Sequence, residues 1–220
     1  MTQVEIEQSE WAPRDSRRRL AAKRILDVIG ASFGLLFFAP VILSVALAIL
    51  VMDGRPVIYS HRRIGRDGRL FGCLKFRTMA RNGDAVLAAH LAHDPLARHE
   101  WETTRKLERD PRVGCFGRLL RRSSVDELPQ FWNVLRGEMS LVGPRPIVED
   151  ERHHYGHHIA AYQAVRPGLT GAWQVSGRSD TTYEERVALD VTYVRERSTT
   201  LDLRIILRTV LVLLTARGAR

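Results

Sequence analysis

An apolar run from Ile25 to Met52, whose only charge is Asp27, constrains the fold of this chain more than any other stretch. It exceeds the ~20 residues that a helix needs to cross a bilayer, yet Pro40 falls near its middle. A proline there removes a helix hydrogen bond and favours a kink. Positive charge flanks both ends, with Arg17, Arg18, Arg19, Lys23 and Arg24 before, and Arg55, Arg62, Arg63, Arg66 and Arg69 after. The positive-inside rule then puts both ends on the cytoplasmic side. Two arms of roughly 13 residues, each about 20 Å long, fall short of a hydrocarbon core of about 30 Å. The pattern predicts a re-entrant helical hairpin that enters one leaflet and returns. Ala46-Leu47-Ala48 has the form of a signal-peptide cleavage site, but the apolar stretch before it is too long and starts too far from Met1. The segment is expected to be retained.

The remaining sequence suits one core, since 45% of the 220 residues are hydrophobic. The net charge of +9 implies an anionic partner, and nucleic acid, acidic lipid headgroups and nucleotide diphosphates all satisfy it. Cys73 and Cys115 fit no metal-ligand spacing and read as reduced core residues. Val57 to Ile64 and Arg69 to Met79 flank the turn signal Gly65-Arg66-Asp67-Gly68 and predict a β-hairpin, with Lys75 and Arg77 on one face of its second strand. Those two cations suit either a solvated edge or an anion. Asn82 to Arg109 predicts two short helices broken at Pro95. The apolar stretch Leu201 to Arg217 carries Arg204 and Arg208 one turn apart, as expected of an interfacial helix or a core helix.

The chemistry concentrates between Ser123 and Pro146. Asp126 and Glu127 are adjacent carboxylates, preceded by Arg118, Arg121 and Arg122 and followed by Arg145 in Gly143-Pro144-Arg145-Pro146. Flanking prolines fix the backbone and lower the entropy cost of aiming the arginine at a phosphate. A carboxylate approaches phosphorus only when guanidinium groups or a divalent metal neutralise the phosphate oxygens. Glu127 is a hard oxygen donor suited to Mg²⁺. Ser124-x-x-Glu127 is also a capping box, so the same residues read as the start of a helix through Trp132 and Leu135, ended by Gly137, a role compatible with the first.

Two further clusters carry weaker signals. His153, His154, His157 and His158 have the i,i+4 spacing of zinc-binding pairs, but no third-ligand pattern accompanies them. Arg166 to Arg178 combines glycines, two arginines and Trp173, and reads as a loop leading into a short strand.

Four segments in order resemble the bacterial sugar transferases that act on polyprenyl phosphates, the monotopic phosphoglycosyltransferases. They are Lys23–Ala31, His61–Met79, Asp110–Pro146 and Arg166–Arg178. The fit is nearest to the branch that primes exopolysaccharide repeat units with galactose or glucose. The resemblance implies an α+β, mostly helical fold: a small cytoplasmic catalytic domain with a short β-hairpin, a re-entrant membrane helix broken at Pro40, and a C-terminal interfacial helix. The family usually breaks that helix at Ser-Pro, where this chain has Ala39-Pro40. The expected divisions are a flexible tail over 1–19, the hairpin over 20–54 and the catalytic domain over 55–220.

By the same resemblance, Asp126 is the expected nucleophile and Glu127 the ligand of an Mg²⁺ cofactor. Arg145, Lys75, Arg77, Arg121, Arg122, Arg178 and Asp190 form the expected substrate- and phosphate-binding set, while Asp202 matches a further acidic position. The implied partners are a UDP-hexose, undecaprenyl phosphate and anionic headgroups at the cytoplasmic face of the bacterial inner membrane, with no nucleic acid. Two rivals are a membrane-tethered basic binding module, in which the dyad only caps a helix, and a UDP-sugar hydrolase on the same fold.

Overall fold

The computed structural model describes residues 17–104, 107–176 and 182–215. Its elements are α1 (Arg17–Phe37), α2 (Ala39–Asp53), β1 (Ile58–Ile64), β2 (Leu70–Phe76), α3 (Gly83–His93), α4 (Pro95–Thr104), α5 (Cys115–Arg122) and α6 (Gln130–Arg136), followed by β3 (Ser140–Val142), α7 (Arg152–Tyr155), α8 (Ile159–Gln163), β4 (Gly168–Thr170), α9 (Ala172–Ser176), α10 (Tyr183–Glu196) and α11 (Thr199–Thr215). The arrangement is mostly helical, with two small sheets of two strands each. The 1–19 tail lies almost entirely outside the described residues.

The bend in the apolar run falls at Phe38, two residues before the proline. Pro40 sits in the first turn of α2, where its missing N–H costs nothing and its ring restricts the residue before it. Hydrogen bonds from Phe38 N to Gly34 O (2.9 Å) and from Ile42 N to Phe38 O (2.8 Å) still straddle the break. No single helix among the described residues is long and apolar enough to cross a membrane; α1 and α2 pass that test only as a pair, bent by 59°.

The arms are unequal, at 21 and 15 residues, because the first half of α1 is docked on the rest of the protein. Asp27 is 0% exposed and accepts hydrogen bonds from Ser140 Oγ (2.8 Å) and the Leu141 N–H (2.9 Å) of β3. Lys23 Nζ donates to Val142 O at 3.0 Å and pairs with Asp202 of α11 at 3.0 Å. Arg24 donates to the carbonyls of Val134 and Leu135, both at 2.7 Å, where a cation meets the negative end of α6. Two glycines allow the close approach: a Cβ at Gly30 would lie 2.5 Å from Leu141 Cδ1, and one at Gly34 2.7 Å from the Phe131 ring. Beyond this docked half, Ile29, Phe33, Leu36 and Phe37 of α1 and Leu43, Leu47, Val51 and Met52 of α2 are exposed.

β1 and β2 form the expected hairpin, antiparallel from Ile58 opposite Phe76 to Ile64 opposite Leu70. An asparagine caps the far edge of β2: Asn133 Oδ1 accepts from the Leu74 N–H (3.0 Å) and Asn133 Nδ2 donates to Gly72 O (2.8 Å), so one side chain from α6 replaces a neighbouring strand. β3 and β4 pair in parallel, Ser140 with Gly168 and Val142 with Thr170. The main core gathers around them from Ile64, Val134, Met139, Tyr162, Val191 and Ile205. α3 and α4 are the expected pair divided before Pro95, and Asp94 Oδ1 caps α4 by accepting from the Leu96 (2.9 Å) and Ala97 (3.0 Å) N–H groups.

α11 packs one face on the core and leaves another exposed. Asp202 and Ile205 are buried, whereas Leu203, Leu207, Val210 and Leu211 of the same helix are exposed. Cys73 is buried as expected, but Cys115 is exposed, because it opens α5 at the surface.

Candidate active site

Asp126 and Glu127 occupy a single 3₁₀ turn, Val125–Glu127, between α5 and α6. The expected capping box does not form. Ser124 has left-handed backbone angles (φ 57°, ψ 15°) instead of the extended ones a cap adopts, and its side chain caps nothing. The turn is closed by backbone bonds alone, Glu127 N to Ser124 O and Leu128 N to Val125 O, both 3.2 Å. α6 starts only after Pro129 and ends, as the sequence suggests, at Gly137 in the left-handed region (φ 78°).

The two carboxylates have different surroundings. Asp126 is 7% exposed, and burial, reinforced by the neighbouring Glu127 charge, pushes its carboxyl up to about 6 against the opposing pull of Lys75 and Arg121. Burial acts on Glu127 in the same sense, but the Lys75 ammonium and the Arg145 and Arg63 guanidiniums outweigh it and hold that carboxyl below its usual range. Lys75 Nζ lies 2.6 Å from Glu127 Oε1. One carboxylate is thus firmly ionised, while its neighbour binds a proton near neutrality.

Beside the turn lies a cleft that Lys75, Glu127 and Arg145 line together with Arg63, Cys73, Gln130, Gly168, Leu169 and Gln174. β2 supplies Lys75, and the loop after β3 supplies Arg145. That loop is fixed by Gly143 N to Thr170 O (2.9 Å) and Gly168 N to Pro144 O (2.7 Å), which tie the Gly-Pro-Arg-Pro segment to β4. The Arg145 guanidinium stands 5.6 Å from the centre of the Trp173 ring, and that of Arg186 4.7 Å from the same ring. Trp173 belongs to helix α9, not to a loop.

Other members of the expected binding set lie elsewhere. Asp190 is 2% exposed and accepts a hydrogen bond from Tyr155 Oη at 2.8 Å. Burial raises its carboxyl to about 7, opposed by that tyrosine and by the Arg145 backbone. Its place is in the core behind Arg145, not on a wall open to substrate. Arg77 does not share an anion-facing site with Lys75: its Nη2 donates to Asp53 O and Gly54 O, both at 2.9 Å, and fastens the end of α2 to the hairpin. Arg121 Nε donates to Thr78 Oγ1 (2.9 Å) and reaches Asp126 only through its charge. Arg122 is exposed and lines no part of the cleft. Arg178 lies outside the described residues. Asp202 is paired with Lys23 and receives the Tyr193 hydroxyl at 2.8 Å.

The histidines do not make a metal site. Their helical register is broken between α7 and the turn Gly156–His158, and the rings approach as sequence neighbours, His153 with His154 and His157 with His158, both at 3.8 Å. Among the described residues no three His, Cys, Asp or Glu side chains are grouped to hold an ion. Magnesium has different needs, since one or two carboxylates commonly hold it together with substrate phosphates. The adjacent carboxylates meet that requirement: Glu127 is ionised, and Lys75 engages one of its two oxygens.

Sequence reasoning passed over Gln130, Gln174 and Arg63, all on the cleft. All three stand within segments already noted, Gln130 three residues after Glu127, Gln174 beside Trp173 and Arg63 before the Gly65–Gly68 turn, but no spacing marks them as facing one cleft.

Comparison with known proteins gives the family of the chain. Residues 18–216 match the family described as Bacterial sugar transferase. The chain is 50% identical over 198 residues to "Exopolysaccharide production protein ExoY" of Rhizobium meliloti (strain 1021), covering 90% of this chain and 88% of that one. It is 45% identical over 212 residues to "Undecaprenyl-phosphate galactose phosphotransferase" of Salmonella typhimurium, covering 96% of this chain but 44% of the other. It is 40% identical over 205 residues to "UDP-glucose:undecaprenyl-phosphate glucose-1-phosphate transferase" of Caulobacter vibrioides, covering 90% and 71%. With the family match running through nearly every described element, the chain belongs to the bacterial sugar transferase family.

Proposed function

We propose that the protein transfers a hexose-1-phosphate from UDP-galactose or UDP-glucose to undecaprenyl phosphate and releases UMP, the first membrane step of exopolysaccharide repeat-unit synthesis. The observation that carries this reading is the contrast within the dyad: a buried carboxylate raised to about 6 beside one held ionised by Lys75 and Arg145. The activities for which the relatives from Salmonella and Caulobacter are named supply the substrate class.

Asp126 is the nucleophile. At neutral pH it is mostly ionised, and its high proton affinity for a carboxylate makes it a better attacking group. An oxygen of Asp126 forms a bond to the β-phosphorus of the UDP-hexose as the bond from that phosphorus to the bridging oxygen breaks, and UMP leaves with the electron pair. The product is an acyl phosphate carrying the sugar. An oxygen of undecaprenyl phosphate then attacks the same phosphorus and the bond to Asp126 breaks, giving undecaprenyl-diphospho-hexose and the free carboxylate. Lys75 and Arg145 neutralise the non-bridging oxygens in both steps. Glu127 would hold an Mg²⁺ ion, which when bound supplies further charge neutralisation on the diphosphate. One phosphoanhydride is broken and one made, so the exchange needs no ATP and is reversed by added UMP.

The lipid acceptor keeps its tail in the bilayer, so the cleft must work at the headgroup plane. The exposed apolar residues of α1, α2 and α11 suit immersion there on the cytoplasmic face of the inner membrane, and the net charge of +9 suits its anionic headgroups. Release of UMP from UDP-hexose with and without undecaprenyl phosphate tests the reading. Lipid-dependent release supports the transferase, lipid-independent release indicates a hydrolase, and none with any UDP-sugar indicates a binding module.

A further inference from the structure

Two glutamines stand in the cleft with no part in the phosphate chemistry. Gln130 is 3% exposed, one turn beyond Glu127, and lines the cleft. Gln174 Nε2 donates to Leu169 O at 3.2 Å. A carbonyl only accepts, so this bond fixes which way the amide faces. It leaves Gln174 Oε1 as an acceptor, and that oxygen is buried without a partner. Buried amide groups are nearly always hydrogen-bonded, because leaving one unmet costs about 1–3 kcal/mol. The unmet Gln174 oxygen, on the same cleft as Lys75, Glu127, Arg145 and Gln130, is therefore a group for a ligand to satisfy.

The kind of ligand follows from their chemistry. Phosphate oxygens only accept and carry charge, which suits the lysine and arginines. A sugar hydroxyl is neutral and both donates and accepts, which suits an amide that offers N–H and C=O together and another that offers C=O. Distance points the same way. The hexose is bonded to the phosphorus that Asp126 would attack, whereas the uracil is removed from it by the α-phosphate and the ribose.

We infer that Gln130 and Gln174 read the hydroxyls of the hexose, beside the charged groups that hold the diphosphate, and so set which sugar the enzyme accepts. This rests on the reading of the protein as a UDP-hexose transferase. An epimer that turns one hydroxyl away leaves an amide unpaired, a discrimination of roughly 5- to 150-fold at 1–3 kcal/mol.

The test is steady-state kinetics of the full chain with undecaprenyl phosphate and either UDP-galactose or UDP-glucose, for the unsubstituted protein, Gln130→Met and Gln174→Met. UDP, which has the nucleotide and diphosphate but no sugar, serves as the competing inhibitor. The KM for the preferred hexose is expected to rise about ten-fold, the preference between the two sugars to shrink, and inhibition by UDP to stay within about two-fold. Gln130→Met keeps a chain of similar shape, and its melting temperature, read beside the kinetics, shows whether the fold is intact. Where a methionine disturbs folding, Gln130→Asn and Gln174→Asn shorten the reach of the same group and should give the same kinetic pattern. UDP inhibition that weakens in step with KM would assign the pair to the nucleotide and overturn the inference. Kinetic constants indifferent to all four substitutions would overturn it too, leaving the transferase reading intact. No turnover by the unsubstituted protein would remove both.

Discussion

Lys75 Nζ stands 2.6 Å from Glu127 Oε1, joining the second strand of the hairpin to the turn that carries Asp126. The same ammonium lowers the proton affinity of both carboxylates. Replacing it with methionine is expected to raise the midpoint of the acid limb of the pH–rate profile and to cut kcat/KM by about ten-fold or more, since a charge-assisted bond contributes roughly 1.5–3 kcal/mol. A profile whose midpoint stays in place would show that Lys75 does not tune Asp126.

Asp126→Asn should lower transfer by about 10³-fold or more, the scale seen when a nucleophile is removed. Its melting temperature above pH 7 should not fall, because the substitution removes a buried carboxylate that ionises against the cost of burial. Trapping a sugar-phosphate adduct on the unsubstituted protein without lipid, and failing to trap it on Asp126→Asn, would tie the covalent step to this side chain. Near-normal turnover by a folded Asn variant would exclude Asp126 as nucleophile.

Acidity should affect rate and stability in opposite senses. The rate is expected to fall as pH drops through about 6, where Asp126 takes up a proton. Asp126 and Asp190, raised to about 6 and about 7, bind protons more tightly folded than in an unfolded chain, where an aspartate titrates near ~3.9. Their contribution is therefore least favourable above pH 7 and improves as pH falls toward 4. Asp190→Asn keeps an acceptor for Tyr155 and should flatten that dependence, as thermal unfolding between pH 5 and 8 will show.

Asp27→Ala should destabilise the protein by about 3 kcal/mol. It strips the acceptor from Ser140 Oγ and the Leu141 N–H, both deep in the interior, while Lys23 keeps Asp202. Denaturant unfolding measures the loss, and an effect under ~1 kcal/mol would show that water replaces the carboxylate.

Membrane attachment should depend on the outer face of α11. Leu203→Glu with Leu207→Glu is expected to lower partitioning into vesicles containing anionic lipid by about 100-fold or more, since burying each leucine contributes roughly 1.5–3 kcal/mol. Unchanged partitioning would confine attachment to α1 and α2.

The features legible in the sequence are those whose cause is local. The hairpin around Gly65–Gly68, the division at Pro95 and the end of α6 at Gly137 follow from turn and cap chemistry that a few neighbouring residues decide. The capping box failed because a non-glycine residue, Ser124, takes left-handed angles, which only its surroundings can stabilise. Arg77 and Asp190 match in position, yet their partners, the carbonyls after α2 and the Tyr155 hydroxyl, come from distant segments. Lys23 and Arg24 read as membrane flanks in the sequence, yet both are partly buried against the rest of the protein, Lys23 on β3 and α11 and Arg24 on α6. The unmet hydrogen bond of Gln174 cannot be read from the sequence, because it exists only in three dimensions.

The two glycines of α1 have a mechanical consequence. With Gly30 seated on Leu141 and Gly34 on the Phe131 ring, α1 has one register against the β3–α6 body and cannot slide or roll without a steric clash. The bent helix pair is then a gauge of fixed length. Were the elbow to enter lipid as proposed, its depth and the height of Asp126 above the bilayer would be a single adjustment, made by the protein as a whole.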